Sequence, residues 1–91
     1  MYDVRFKRSV AKDLRGIGEQ ARDRVLAAIE TELARDPRAG LRLRGPDALW
    51  RWRVGEYRVI YTFNDTELWI LVVRIGHRRD VYRRVGSTGP T

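Results

Sequence analysis

Trp50-Arg51-Trp52-Arg53-Val54-Gly55-Glu56-Tyr57-Arg58-Val59-Ile60-Tyr61-Thr62-Phe63 reads as a β-hairpin, and the rest of the chain is best understood from it. Both arms alternate strictly. The Gly55-Glu56 interruption suits a two-residue type II′ turn, because glycine takes the positive φ of the first turn position without strain. The register follows: Val54 faces Tyr57, Arg53 faces Arg58, Trp52 faces Val59, Arg51 faces Ile60 and Trp50 faces Tyr61. One face of the hairpin is then aromatic, and the other carries three arginines. Like charges directly opposite each other on paired strands are destabilising, so the arginine face points to an anionic ligand. The competing reading is that the long side chains splay into water with their stems over apolar neighbours.

The chain on either side of the hairpin supplies what its aromatic face needs. Tyr2, Val4 and Phe6 alternate with Asp3, Arg5 and Lys7, the pattern of a short edge strand. Ser9 is placed to cap a brief helix with Val10, Leu14 and Ile17 on one stripe, broken at Gly16 and Gly18. From Glu19 to Arg35 the positions Ala21, Val25, Ala28, Ile29 and Leu33 mark a longer helix, ended by Asp36-Pro37. Two helices with one apolar face require a partner layer, and Trp50, Trp52 and Tyr61 provide it. Residues 36–48 read as a connection, with Leu43 as its anchor and Arg44 as a cation within reach of a ligand.

After the hairpin, Asn64-Asp65-Thr66-Glu67 is a second turn. Leu68 to Ile75 runs almost continuously apolar, as a central strand buried on both faces would. Gly76 releases the chain into His77-Arg78-Arg79-Asp80-Val81-Tyr82-Arg83-Arg84, a strongly basic segment. The expected fold is α+β: an N-terminal strand and a two-helix hairpin packed on a twisted, mainly antiparallel four-stranded sheet, with a basic C-terminal segment. Residues 1–85 are expected to form a single domain and 86–91 a disordered tail.

Composition narrows the function classes. A chain of 91 residues buries only roughly 60–65% of its unfolded surface, enough for one core. With no cysteine and one histidine there is neither a disulfide framework nor the ligand set of a structural zinc site. No run approaches a membrane span, and the N-terminus lacks the apolar stretch of a signal peptide, which makes a cytoplasmic location the expectation. The net charge of +7 favours an anionic partner such as nucleic acid or an acidic protein.

Three stretches, Leu43-Arg44-Gly45, Tyr57-Arg58-Val59-Ile60-Tyr61 and Ile75-Gly76-His77-Arg78-Arg79-Asp80-Val81-Tyr82, in this order and spacing resemble the RelE/ParE superfamily of bacterial and archaeal toxins. The resemblance runs from the first strand through Arg84. It implies a RelE-like fold and the toxin of a type II toxin–antitoxin system, held in a hetero-oligomer by an acidic RelB-like antitoxin. In the RelE branch it further implies an endoribonuclease that enters the ribosomal A site and cleaves mRNA there without metal or cofactor. The 2′-hydroxyl attacks the adjacent phosphate, leaving a 2′,3′-cyclic phosphate and a 5′-hydroxyl. Such a step needs a group to take the 2′ proton, cations on the phosphorane charge and help for the leaving oxygen.

Position by position, Arg58 corresponds to the family's phosphate-contacting arginine. Arg51 and Arg53 stand where RelE has two lysines; they keep the charge but bind phosphate as planar forks and do not readily give up a proton. Arg78 corresponds to the arginine after the last strand's glycine and Tyr82 to the tyrosine that follows. The candidate catalytic set is therefore Arg53, Arg58, Arg78, Tyr82 and His77, with Arg44, Arg51, Arg53, Arg79 and Arg83 binding RNA. Tyr82 is the expected general base, its phenolate favoured by surrounding arginines. If the segment is helical, Arg78 and Tyr82 share one face beside Arg58. His77 has no counterpart in RelE, although some relatives use a histidine nearby. The ParE branch offers a different outcome on the same scaffold, a non-catalytic toxin that binds and poisons DNA gyrase. A plain nucleic-acid-binding module is a third.

Overall fold

The computed structural model of this chain describes residues 1–81. Strand β1 (Asp3–Phe6) leads into helices α1 (Val10–Ile17) and α2 (Glu19–Thr31), then strands β2 (Leu41–Arg42), β3 (Trp50–Val54), β4 (Tyr57–Asn64) and β5 (Trp69–His77). The strands form one sheet in the order β1-β5-β4-β3-β2, with β1 parallel to β5 and the other neighbours antiparallel. The hairpin pairs in the expected register at all five positions. Gly55 has φ 57 and Glu56 stays at negative φ, as the two-residue turn requires.

The sheet has five strands rather than four. Leu41 and Arg42 leave the connection to pair with Arg51 and Trp50, and so cover part of the outer edge of β3. Helix α2 is also shorter than its apolar stripe. It stops at Thr31, and Leu33–Arg35 tighten into a 3-10 turn that keeps Leu33 fully buried and Ala34 nearly so. Ser9 does not cap α1 with its side chain. The first amides of that helix are instead taken by the carbonyls of Lys7, Arg8 and Ser9, so a turn feeds the helix and the hydroxyl is not needed. Strand β5 begins at Trp69, one residue later than expected, because Leu68 sits at φ 58 in the preceding turn. Its Ile70, Val72 and Ile75 are buried, whereas Trp69, Leu71 and Val73 are only half covered.

Val10, Val25, Ile29 and Leu33 from the helical layer pack with Val54, Val59, Tyr61, Ile70, Val72 and Ile75 from the sheet. Trp50 and Trp52 join this core at its margin, so the helices lie on the aromatic face as the register demands. Tyr61 is fully buried and its hydroxyl donates to the carbonyl of Pro37, tying the connection to the sheet. Burial pushes that hydroxyl up to about 12. Gly40 passes so close to Tyr61 that a Cβ there would collide with the Tyr61 hydroxyl and the Arg51 carbonyl, which is why this position carries no side chain.

One charged pair lies inside. Between Ile60 and Tyr61 the β4–β5 ladder slips by one residue, leaving Val73 extra on β5. Next to the slip, Arg74 reaches Asp13 of α1 at 2.7 Å, and the second Asp13 oxygen accepts from the Ile75 amide at 3.1 Å. Asp13 is 4% exposed and Arg74 14%. Breaking such a pair from one side strands a buried cation and costs about 3–5 kcal/mol. We therefore expect Asp13→Ala to lower the unfolding free energy by about 3 kcal/mol or more in urea titrations. Asp23→Ala, in an exposed pair with Arg22, should change it by less than about 1 kcal/mol.

Candidate functional site

The face of the hairpin turned away from the helices carries Arg51, Arg53 and Arg58. Strict alternation puts them on one side, and the turn at Gly55 brings Arg53 opposite Arg58. Together they line a cleft of about 460 Å³ whose other wall is Ala39, Gly40 and Leu41. Gly40 and the short strand β2 thus form one bank of the cleft, and the arginines the other. Arg53 is exposed, while Arg51 and Arg58 are partly covered. Arg58 donates through Nη1 to the carbonyls of Gly55 and Tyr57, each at 3.0 Å, which fixes its guanidinium over the turn.

The last strand delivers a second set of groups beside it. Gly76 pairs with Arg58. Chain from His77 closes one tight turn in which Asp80 and Val81 donate to the His77 carbonyl. Val81 packs back against Gly76, with its Cα 3.4 Å from where a Cβ would stand, so the turn folds onto the end of the strand. Glu56, in the β3–β4 turn, receives it: the Arg78 amide donates to the Glu56 carbonyl at 2.8 Å, and Arg78 Nε stands 3.1 Å from the Glu56 carboxylate. Sequence reasoning passed over Glu56. Its signal was an acid at the tip of an otherwise basic hairpin.

The expected site residues divide as follows. Arg51, Arg53 and Arg58 share one cleft; Arg78 does not line it and is tied instead to Glu56 at the tip of the same hairpin. Arg79 is exposed in the same turn. His77 faces elsewhere, into a hollow of about 510 Å³ beside α1 that it lines with Lys12, Tyr57 and Asp80. Both of its ring nitrogens have neighbours: Nδ1 accepts from the Arg79 amide at 3.2 Å and Nε2 lies 3.4 Å from Glu56. Arg44 is exposed in the loop before β3 and does not line the arginine cleft. Tyr82 and Arg83, and the tail at 86–91, lie outside the described residues.

Residues 4–82 match the family model described as the ParE toxin of the type II toxin-antitoxin system parDE. The chain belongs to the ParE toxin family. It is 35% identical over 89 residues to toxin RelG of Mycobacterium tuberculosis, covering 91% of this chain and 98% of that protein. The toxin–antitoxin complex RelBE2 of the same organism superposes with a TM-score of 0.78 at 30% identity, over 85% of this chain and 98% of that one. The isolated RelE toxin of E. coli superposes with a TM-score of 0.68 at 25% identity, over 85% of this chain and 84% of that one. Two helices on a mixed five-stranded sheet are thus the RelE-like fold, and this protein is the toxin of a type II toxin–antitoxin system. No helix among the described residues is long and apolar enough to cross a membrane.

Glu56 is the acid that any anion entering beside Arg78 must displace. Both side chains are at least half exposed, so their pairing contributes no more than about 1 kcal/mol. Glu56→Gln should accordingly elute from immobilised heparin at higher salt than the parent protein, with an affinity gain of up to about fivefold.

Proposed function

We propose that this toxin is a ribosome-dependent endoribonuclease that cleaves mRNA in the A site and so halts translation. The observation that carries the proposal is the convergence of Arg51, Arg53 and Arg58 on one cleft, with Arg78 paired to Glu56 at the tip of the same hairpin. Three cations gathered on the face turned away from the helices make little sense for stability and good sense for a phosphodiester.

In the proposed step the 2′-oxygen forms a bond to the adjacent phosphorus as its proton leaves for a base. The P–O5′ bond then breaks and the 5′-oxygen takes up a proton. Arg58, fixed over the turn, meets the charge that builds on the phosphorane, and Arg51 and Arg53 grip the flanking backbone as planar forks. Arg78 closes the other side once the incoming phosphate replaces Glu56. Tyr82 is the proposed general base and His77 the second candidate for acid–base work. Arg44, Arg79 and Arg83 add contacts to RNA further out. Its partners would be the ribosome with its mRNA and an acidic RelB-like antitoxin that covers the arginine cleft, in the cytoplasm.

A second reading keeps the same scaffold for a non-catalytic toxin that binds DNA gyrase, and the match to the ParE toxin model favours it. Mapping mRNA 5′ ends in a purified translation system separates the two. Cuts confined to A-site codons on ribosomes are expected; intact mRNA together with inhibited gyrase supercoiling would sink the nuclease.

In the same system Arg58→Ala should fold normally and lose a hundred- to a thousandfold in cleavage rate, on the scale of about 3–4 kcal/mol for a lost oxyanion donor. Unchanged cleavage by the folded variant removes Arg58 from the chemistry. Tyr82→Phe should bind ribosomes like the parent yet cut more slowly in single turnover. If its rate holds, His77→Ala becomes the damaging change.

A further inference from the structure

Gly55 has a second neighbour from outside the sheet. A Cβ built on it would lie 2.9 Å from one Arg24 Nη and 3.3 Å from Arg24 Cζ, so the guanidinium of this α2 residue rests against the hairpin turn. Arg24 is exposed and off the apolar stripe of its helix. The same turn backbone accepts the Arg58 hydrogen bond, which brings the helix arginine and the sheet arginines around one glycine.

Between α2 and β3 opens another cleft of about 460 Å³, lined by Arg24, Ala27, Thr31, Trp52, Arg53 and Gly55. Trp52 and Arg53 line this cleft and the three-arginine cleft alike. The two hollows adjoin because β2 pairs only as far as Arg51, so among the described residues no strand covers the edge of β3 at Trp52 and Arg53. Glu32 closes one side of the second hollow with a negative charge, which leaves the Arg24 and Arg53 side for phosphate. An aromatic wall next to two forked cations, continuous with a basic groove, is the chemistry that holds single strands: bases stack and phosphates pair.

We propose that the cleft between α2 and β3 is a subsite for the neighbouring nucleotides of a single-stranded nucleic acid lying in the three-arginine cleft, with a base against Trp52 and its phosphate on Arg24 and Arg53. The inference rests on the nucleic-acid reading of that first cleft and extends it around the hairpin. It makes Arg24 a binding residue supplied by the helical layer, and it gives the site a length of several nucleotides.

Binding of labelled 2′-O-methyl oligonucleotides, two and six residues long, to the full chain tests it by fluorescence anisotropy across a salt series. Arg24→Gln should weaken the hexamer about tenfold, lower the slope of log affinity against log salt by about 0.7, and leave the dimer unchanged. Ala27→Glu, on the exposed wall of the cleft, should do the same to hexamer affinity with every arginine in place, and Arg24→Lys should recover part of the loss. Arg15→Gln removes an equal charge from exposed α1 and should move neither ligand. A hexamer made abasic beyond its second residue should bind like the parent hexamer does to Arg24→Gln. The proposal is overturned if Arg24→Gln and Arg15→Gln weaken binding equally, if dimer and hexamer lose affinity together, or if the abasic hexamer binds as tightly as the intact one. It is overturned as well if a glutamate peptide of matched charge competes with the same dependence on Arg24, which would mark a surface for an acidic protein. Failure of the parent protein to bind even the dimer would count against the nucleic-acid reading itself, a result distinct from loss of the hexamer's advantage alone.

Discussion

Repulsion among Arg51, Arg53 and Arg58 is the constraint around which this fold is arranged. A two-residue turn leaves no slack in register, so Arg53 and Arg58 are forced into a directly opposed pair. Such a pair is tolerable only where water or an anion can reach it. The helices accordingly occupy the other face, drawn there by Tyr61, Val59 and Val54, and the arginine side is left to a shallow cleft. Local devices soften what remains. Backbone carbonyls of Gly55 and Tyr57 take up one Arg58 nitrogen, and the Glu56 carboxylate sits at the tip between Arg78 and His77. The Glu56 contacts lie at the surface, where water weakens them.

The Asp13–Arg74 pair works in the opposite way, because it is buried and therefore rigid. Its carboxylate bonds both to the guanidinium and to the Ile75 amide, and so pins α1 at the point where the β4–β5 ladder slips past Val73. The slip separates two halves of the sheet. On one side Tyr61 stacks on Phe63, Trp50 packs tilted against both, and Arg38 lies over Phe63 while pairing with Asp65, whose carboxyl this contact holds below its usual range. On the other side Arg58 meets Gly76 and the basic turn begins.

What was legible in the sequence depended on how tightly each element is constrained by its neighbours. The hairpin was fully legible, because alternation and a glycine-led turn admit one register. The family resemblance rested on Leu43-Arg44-Gly45, on Tyr57 to Tyr61 within the hairpin and on the Ile75 to Tyr82 run, and the fold agrees with it. Strand β2 was not legible, since two residues carry no periodicity and pair only because Gly40 allows close approach to Arg51. The slip at Val73 left no trace in the sequence, but the ion pair beside it left one that went unread. A lone arginine inside an apolar run requires a buried acid, and Asp13, between Val10 and Leu14 on an otherwise apolar helix face, was the available one. Arg24 gave no sign at all. Its place beside the turn depends on how α2 crosses β3, which is a property of the packed layers and not of either segment.

That dependence bears on how a site this basic can be built in a small domain. Strands alone present cations at fixed two-residue spacing on one face, which is enough to bracket a single phosphate group. A longer strand of nucleic acid needs a cation from another layer, placed where the sheet ends. Here the glycine that the turn needs for its positive φ also leaves room for the Arg24 guanidinium to rest against the turn. A substitution at Gly55 would strain the turn through its positive φ, whereas the Arg24 guanidinium, the far end of a flexible exposed side chain, would only have to swing aside; the turn therefore constrains the sheet arginines more tightly than the helix one.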